Sequence, residues 1–134
     1  MPSPPVTAIN RSSASTVRAA AWPASRRLLR RVDIRAAYDH GMRRSSPHFT
    51  LFALPSRLPA PRFGITVSNK LGGAVERNRI RRRTRELLRR FCVNQTPGTG
   101  FDVVINPRPS VAHADFQLLA GELAELVRRA TVQN

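Results

Sequence analysis

Val75-Glu76-Arg77-Asn78-Arg79-Ile80-Arg81-Arg82-Arg83-Thr84-Arg85-Glu86-Leu87-Leu88-Arg89-Arg90-Phe91 sets eight arginines and two glutamates, a net charge of +6, around a single asparagine. Wound at about 100° per residue, Ile80, Thr84, Leu87, Leu88 and Phe91 gather into one apolar arc. Asn78, Arg81, Arg82, Arg85 and Arg89 fall on the opposite side. The spacing predicts an amphipathic helix with one face on a core and four guanidiniums and an amide on the other. Ordinary surfaces intersperse both signs of charge. A face with so little acid repels itself until a polyanion neutralises it, and a phosphate backbone is the usual one. The simpler alternative, a merely solvated charged helix, does not explain the missing acids.

The same bias runs through the whole chain. Its 134 residues carry 23 basic and 8 acidic side chains, a formal charge of +15 and a pI near 12.0. Only Lys70 among the basic residues is a lysine. Arginine grips phosphate with two parallel donors and stacks on bases, which favours a nucleic-acid partner over diffuse charge attraction. The length supports one domain with a modest core. Cys92 is the sole cysteine, so neither a disulfide framework nor a zinc-ligand set is available. No apolar run approaches the roughly 18 residues of a membrane span, and the opening segment lacks the apolar centre of a secretory signal. A soluble, cytoplasmic protein without membrane attachment is expected.

Outward from the arginine helix, the chain divides into a tail at residues 1–24 and a domain at 25–134. Pro2, Pro4, Pro5 and Pro23 interrupt the tail, and no acid precedes Asp33. The tail reads as a disordered basic RNA-binding extension. An organellar transit peptide has a similar composition, but these prolines spoil the amphipathic helix it requires. Regular structure is expected from about Leu28. Asp33 is a suitable N-cap for a short helix ending at Gly41, with Ile34, Ala37 and Tyr38 on one face. His48 to Leu54 alternates as a strand, and Arg62 to Ser68 is a second strand rich in β-branched residues. Asn69-Lys70-Leu71-Gly72-Gly73 turns the chain into the arginine helix. After Pro97-Gly98-Thr99-Gly100, Phe101 to Asn106 forms another strand. A last helix is predicted from about Val111 to Ala130, with Phe116, Leu119, Ala120, Leu123, Leu126, Val127 and Ala130 at helical spacing. This helix is nearly neutral and suits packing rather than RNA contact.

Chemistry of the protein's own is hard to find. A nuclease site needs clustered metal-binding carboxylates or a His-based acid–base pair. The few acids are accounted for by capping, pairing and strand entry, and His40, His48 and His113 are widely separated. Gly72-Gly73 lacks the spacing of a phosphate-binding loop. No catalytic residue and no metal site are therefore expected. Aromatic residues suggest binding instead. Phe49 and Phe52 must point to opposite faces of one strand, so one enters the core and the other, read as Phe52, meets a surface. With Tyr38 it would form a stacking platform for a single strand.

Phe63-Gly64-Ile65-Thr66-Val67-Ser68-Asn69-Lys70-Leu71-Gly72-Gly73-Ala74-Val75-Glu76-Arg77-Asn78-Arg79-Ile80-Arg81-Arg82 closely resembles the signature of the bacterial ribonuclease P protein subunit. In that signature a strand ending in Ser meets a basic Gly-containing loop, then Ala-Val, one variable residue and Arg-Asn-Arg. A weaker resemblance extends from about Arg27 to Arg129. It implies a single two-layer α+β domain, ordered helix, strands, helix, strand, helix, with a left-handed βαβ crossover. It also implies a partner: a catalytic RNA that holds the Mg²⁺ ions and removes the 5′ leader of precursor tRNA. The protein would bind that RNA and the leader and carry no small-molecule cofactor. The resemblance places Arg77, Asn78, Arg81, Arg82 and Arg85 against RNA, and Tyr38, Phe52 and the position of Ile34 along the leader cleft. Arg79, Arg89 and Lys70 complete the expected RNA-binding set. Ile34 stands where the family usually has Phe, Asn69 replaces the first of a usual lysine pair, and Gly73 replaces a common Asn. The competing reading is a small basic ribosomal or other structural RNA-binding protein, which would need no single-strand cleft.

Overall fold

The computed structural model describes residues 24–91 and 100–131. Of the tail read at 1–24 only Ala24 is among them, and Cys92 and the Pro97-Gly98-Thr99 turn lie outside. Three helices and four strands follow in the order α1 (Arg31–His40), β1 (Met42–Ser45), β2 (Phe49–Pro55), β3 (Arg62–Ile65), α2 (Ala74–Phe91), β4 (Phe101–Pro107) and α3 (Phe116–Ala130). The strands make one sheet in the order β1-β2-β4-β3. β1–β2 and β2–β4 are antiparallel, whereas β3 and β4 are parallel neighbours, so α2 is the crossover between them. The class is α+β, as the resemblance implies.

Strand periodicity sorts the core. Phe49, Leu51 and Ala53 of β2 and Phe101, Val103 and Ile105 of β4 point to one face and are buried there. Ile80, Leu87 and Leu88 of α2 and Leu119, Leu123, Leu126 and Val127 of α3 close over them. Thr84 is fully buried in the apolar arc of α2 because its hydroxyl donates to the Ile80 carbonyl at 2.8 Å. Val104 faces the other way, into a smaller cluster with Leu28 and Ala37, edged by Ile34, Tyr38, Phe52 and Leu54. The expected two layers thus gain a partial third. β4 is central, and Val104 on its second face is apolar, so α1 covers that part of it.

Several boundaries differ from the sequence expectations. α1 begins at Arg31, and Asp33 lies in its first turn instead of capping it, 3.6 Å from Arg62. An acid there also suits the helix dipole. Gly41 follows α1 with φ −80°, an extended conformation rather than a left-handed cap. The second strand stops at Ile65. Ser68 then accepts from the Lys70 N–H and winds Asn69–Leu71 into a 3₁₀ turn. Gly72, at φ 129°, makes the reversal into α2 that a side chain would resist. The last helix starts at Phe116, because the Asp115 carboxylate accepts from the Leu118 N–H at 3.0 Å and caps it. Pro109–Ala112 is a separate 3₁₀ turn whose Val111 and Ala112 enter the core. β1 has no counterpart among the sequence expectations.

The N-terminal segment covers the edge of the sheet. Ala24–Arg26 forms a 3₁₀ turn, Arg27 bridges to Phe63, and the Leu28 N–H donates to the Phe63 carbonyl at 2.8 Å. A Cβ on Gly64 would sit 2.6 Å from the Leu28 carbonyl oxygen, so only glycine lets this segment lie so close.

Candidate nucleic-acid interface

The buried stripe of α2 fixes how its arginines distribute. Ile80, Thr84, Leu87 and Leu88 are fully buried, which turns Asn78, Arg81, Arg82, Arg85 and Arg89 to one flank. Arg81, Arg85 and Arg89, spaced four apart, line a groove of about 550 Å³ between α2, the β3 edge and the N-terminal segment. Its floor is apolar, with Phe63, Ile65 and Ile34, and Arg27 adds a fourth guanidinium. Asn78 accepts from Arg81 at 3.0 Å and steadies that guanidinium from one turn away. Arg89 makes a two-point pair with Glu86, at 3.1 and 2.5 Å, which holds the Glu86 carboxyl below the usual range. Arg89 is therefore partly neutralised within its own helix.

The other flank of α2 is structural. Arg83 donates to the Ala114 carbonyl, and the guanidiniums of Arg83 and Arg90 each lie 5.8 Å from the Phe116 ring centre. Glu76 meets His113 at 3.2 Å. Two of the eight arginines thus brace the basic helix against α3 and the segment before it. Arg77 half-folds back onto the loop, donating to the Gly72 carbonyl at 3.0 Å. Arg79, Arg82 and Lys70 are exposed and line neither this groove nor the cleft described next.

A second depression, about 300 Å³, opens on the sheet face that α1 leaves partly uncovered. Phe52 lines it beside Thr50, Thr66, Ser68 and Asn106, with Arg43 and Arg108 among its further walls. Phe49 is fully buried, so the two phenylalanines divide between core and surface as their spacing requires. Tyr38 stands edge-on to Phe52, ring centres 4.8 Å apart, and its hydroxyl donates to Asn106 Oδ1 at 3.0 Å. Ile34 was expected beside these two. It does edge the same small cluster as Tyr38 and Phe52, and it lines the arginine groove rather than this cleft.

Sequence reasoning missed Arg27, Arg43, Asn106 and Arg108. Arg43 belongs to the unexpected edge strand β1. Arg108 did carry a signal, a base between Pro107 and Pro109 at the end of a strand. The acids contribute no ligand cluster. Asp102 pairs with Arg62 at 2.8 Å, Glu125 with Arg128 at 2.5 Å, and Glu122 accepts from Ser46 and His48. Among the described residues, no three His, Cys, Asp or Glu side chains converge to hold a metal, and no helix is long and apolar enough to cross a membrane.

Comparison with known proteins agrees with this fold. The chain matches the Ribonuclease P family over residues 22–131. It is 41% identical over 106 residues to the ribonuclease P protein component of Oleidesulfovibrio alaskensis, covering 76% of this chain and 83% of that protein. To that of Carboxydothermus hydrogenoformans it is 37% identical over 98 residues, 72% of this chain and 83% of the relative. Among solved structures, the RNase P protein from Thermotoga maritima superposes with a TM-score of 0.68 at 28% identity, covering 81% of this chain and 98% of that one. Signature, fold and relatives lead to one statement: the chain belongs to the ribonuclease P protein family, the protein components of a tRNA-processing ribonucleoprotein.

Proposed function

We propose that this chain partners a ribonuclease P RNA and holds the 5′ leader of precursor tRNA while that RNA cleaves it. One observation carries the reading: an arginine-lined groove and an aromatic cleft occur in one small domain. The groove, with Arg81, Arg85 and Arg89, suits phosphates of folded RNA, to which arginines add affinity without reading sequence. The cleft beside Phe52 suits one unpaired base, which stacks on an aromatic face. Arg77, Asn78, Arg79, Arg82 and Lys70 extend the basic surface beyond the groove. Asp33, Glu76, Glu86, Asp102, Asp115, Glu122 and Glu125 are engaged by basic, hydroxyl or backbone groups of the protein. That arrangement does not suit a metal site on the protein, and the Mg²⁺ ions are assigned to the RNA. Such an assembly works in the cytoplasm.

Reconstitution tests the reading. With a bacterial ribonuclease P RNA at low Mg²⁺, the chain should promote leader removal, and RNA-free protein should not cleave precursor tRNA. Phe52→Ala should weaken binding of leader-bearing precursor by about 1–3 kcal/mol and leave mature tRNA almost unaffected. Equal losses for both RNAs, with an unchanged melting temperature, would remove the leader from the Phe52 cleft.

A further inference from the structure

We propose that Glu122 of α3, which lines neither depression, is a positioning residue for the leader cleft: it fixes the turn between β1 and β2 and, through it, the guanidiniums of Arg43 and Arg108. The inference rests on the leader reading above and adds a residue that acts without touching RNA. The Glu122 carboxylate is mostly buried, and a single turn, Ser46-Pro47-His48, satisfies it. Its Oε2 accepts from the Ser46 hydroxyl at 2.5 Å and from the His48 N–H at 2.7 Å, and its Oε1 accepts from His48 Nδ1 at 2.6 Å. Hydrogen bonds to an ionised acceptor are the strong ones, and three of them from one turn hold it in a single conformation.

The turn passes that order to the cleft along two arms. On one arm the His48 backbone is gripped on both sides: its N–H donates to Glu122, and its carbonyl accepts from the Arg108 N–H at 2.9 Å. Arg108 directly follows the last pair of the β2–β4 ladder, Phe49 with Pro107, and its guanidinium donates to Thr50 Oγ1 at 3.1 Å. On the other arm the Ser46 N–H donates to the Phe49 carbonyl at 2.8 Å and closes the hairpin. β1 pairs with no strand but β2, so this closure helps to set its register, which puts Arg43 opposite Phe52. Arg43, Thr50, Phe52 and Arg108 line one cleft. Two guanidiniums beside an aromatic ring suit the phosphates on either side of a stacked base. Without Glu122 the turn loses three bonds, and both arginines lose part of their fixed placement.

The sign of the effect separates positioning from plain electrostatics. The chain carries a formal charge of +15, so removing an acid should, by charge alone, strengthen its binding to every RNA. Loss of the clasp should instead weaken binding of the leader. The experiment uses holoenzyme reconstituted with a bacterial ribonuclease P RNA and titrated with precursor and mature tRNA, well below the melting temperature of each variant. Glu122→Gln should bind leader-bearing precursor roughly three- to tenfold more weakly, about the worth of one hydrogen bond, and leave mature tRNA unaffected. Glu125→Gln, the same charge change one turn away in the exposed pair with Arg128, should show no such loss. Ser46→Ala removes one of the three donors and should give a smaller loss of the same kind. Where Arg43→Ala and Arg108→Ala have already removed the leader contacts, adding Glu122→Gln should change little, because the three residues act as one unit. The proposal is overturned by precursor binding that rises or stays the same in Glu122→Gln, or by an equal loss for mature tRNA. It is overturned equally if the two arginine substitutions cost nothing, or if Glu122→Gln keeps its full effect on top of them. Phe52→Ala separates the two layers of argument. If it lowers leader binding while Glu122→Gln does not, only the role of Glu122 fails. If it leaves leader binding unchanged, the cleft is not the leader site.

Discussion

α2 lays Ile80, Thr84, Leu87 and Leu88 on one face of the sheet, and α3 lays Leu119, Leu123, Leu126 and Val127 on the same face. Beyond these stripes the two helices diverge. α3 carries two glutamates and two arginines, and Glu125 neutralises Arg128 one turn away. α2 carries eight arginines and two glutamates. Its Glu86 serves Arg89 and Arg90, its Glu76 meets His113, and Arg81, Arg82 and Arg85 pair with no acid among the described residues. Inner stripes of equal quality hold both helices in place, so the difference outside them is chemical. The inner face of an amphipathic helix reports fold; its outer face reports what the surface meets.

The largest expected effects test the half of this comparison in which the helices are alike. Leu87→Ala in α2 and Leu123→Ala in α3 should each destabilise the domain by about 2–5 kcal/mol, because both side chains are fully buried. Urea unfolding measures both. A much smaller loss for Leu87→Ala would mean that the basic helix is only loosely held and that its groove is not preformed.

The next effect tests the half in which they differ. Every phosphate that goes without its arginine should flatten the salt dependence of RNA binding by about 0.7–0.9 in slope. Arg81→Ala, Arg82→Ala and Arg85→Ala should each do so, whereas Arg128→Ala and Arg129→Ala on α3 should leave the slope nearly intact. Binding titrations across a range of salt concentrations decide it, and equal slopes for the two sets would dissolve the contrast.

The smallest effect belongs to α3 alone. Burial pushes the Glu122 carboxyl up, but hydrogen bonds from the Ser46 hydroxyl and from the His48 side chain and backbone outweigh it, and the net shift is downward. A carboxyl lowered in the folded state contributes stability above its unfolded value and loses it as pH falls through the folded one. Thermal unfolding should therefore show stability draining away below the ordinary glutamate range. Glu122→Gln should remove part of that acid sensitivity. An identical acid profile for wild type and variant would assign the loss to other carboxylates.

How much of this was legible in the sequence depends on how strongly each element repeats. α2, β4 and the body of α3 could be read because their apolar positions recur at one period over many residues. β1 could not: Met42-Arg43-Arg44-Ser45 has no apolar alternation, and it is a strand only because β2 offers it hydrogen bonds. Asp33 was misassigned for a related reason. An aspartate near a helix start suits a cap or a first-turn ion pair equally, and the choice depended on Arg62, 29 positions away from Asp33. In the candidate binding surface, the arginine flank followed from helical geometry, whereas Ile34 was located only by the way α1 lies across the sheet and Asn106 by the register of β4 against β2. The split of the arginines into a groove set and a bracing set also lay beyond the sequence, since Phe116 becomes a neighbour of Arg83 and Arg90 only after folding.

The Arg27–Leu28 segment on β3 leaves β1 as the one strand edge of the described sheet without a neighbour. That edge carries Arg43 and Arg44 side by side. Two copies meeting there would bring like charges together at each register, and edge charge is a recurring defence against strand-by-strand self-association. Gly64, by admitting Leu28, thus confines the danger of aggregation to a strand already guarded by arginine. A substitution at Gly64 would reopen β3, whose Phe63 and Ile65 offer a second chain an uncharged place to add.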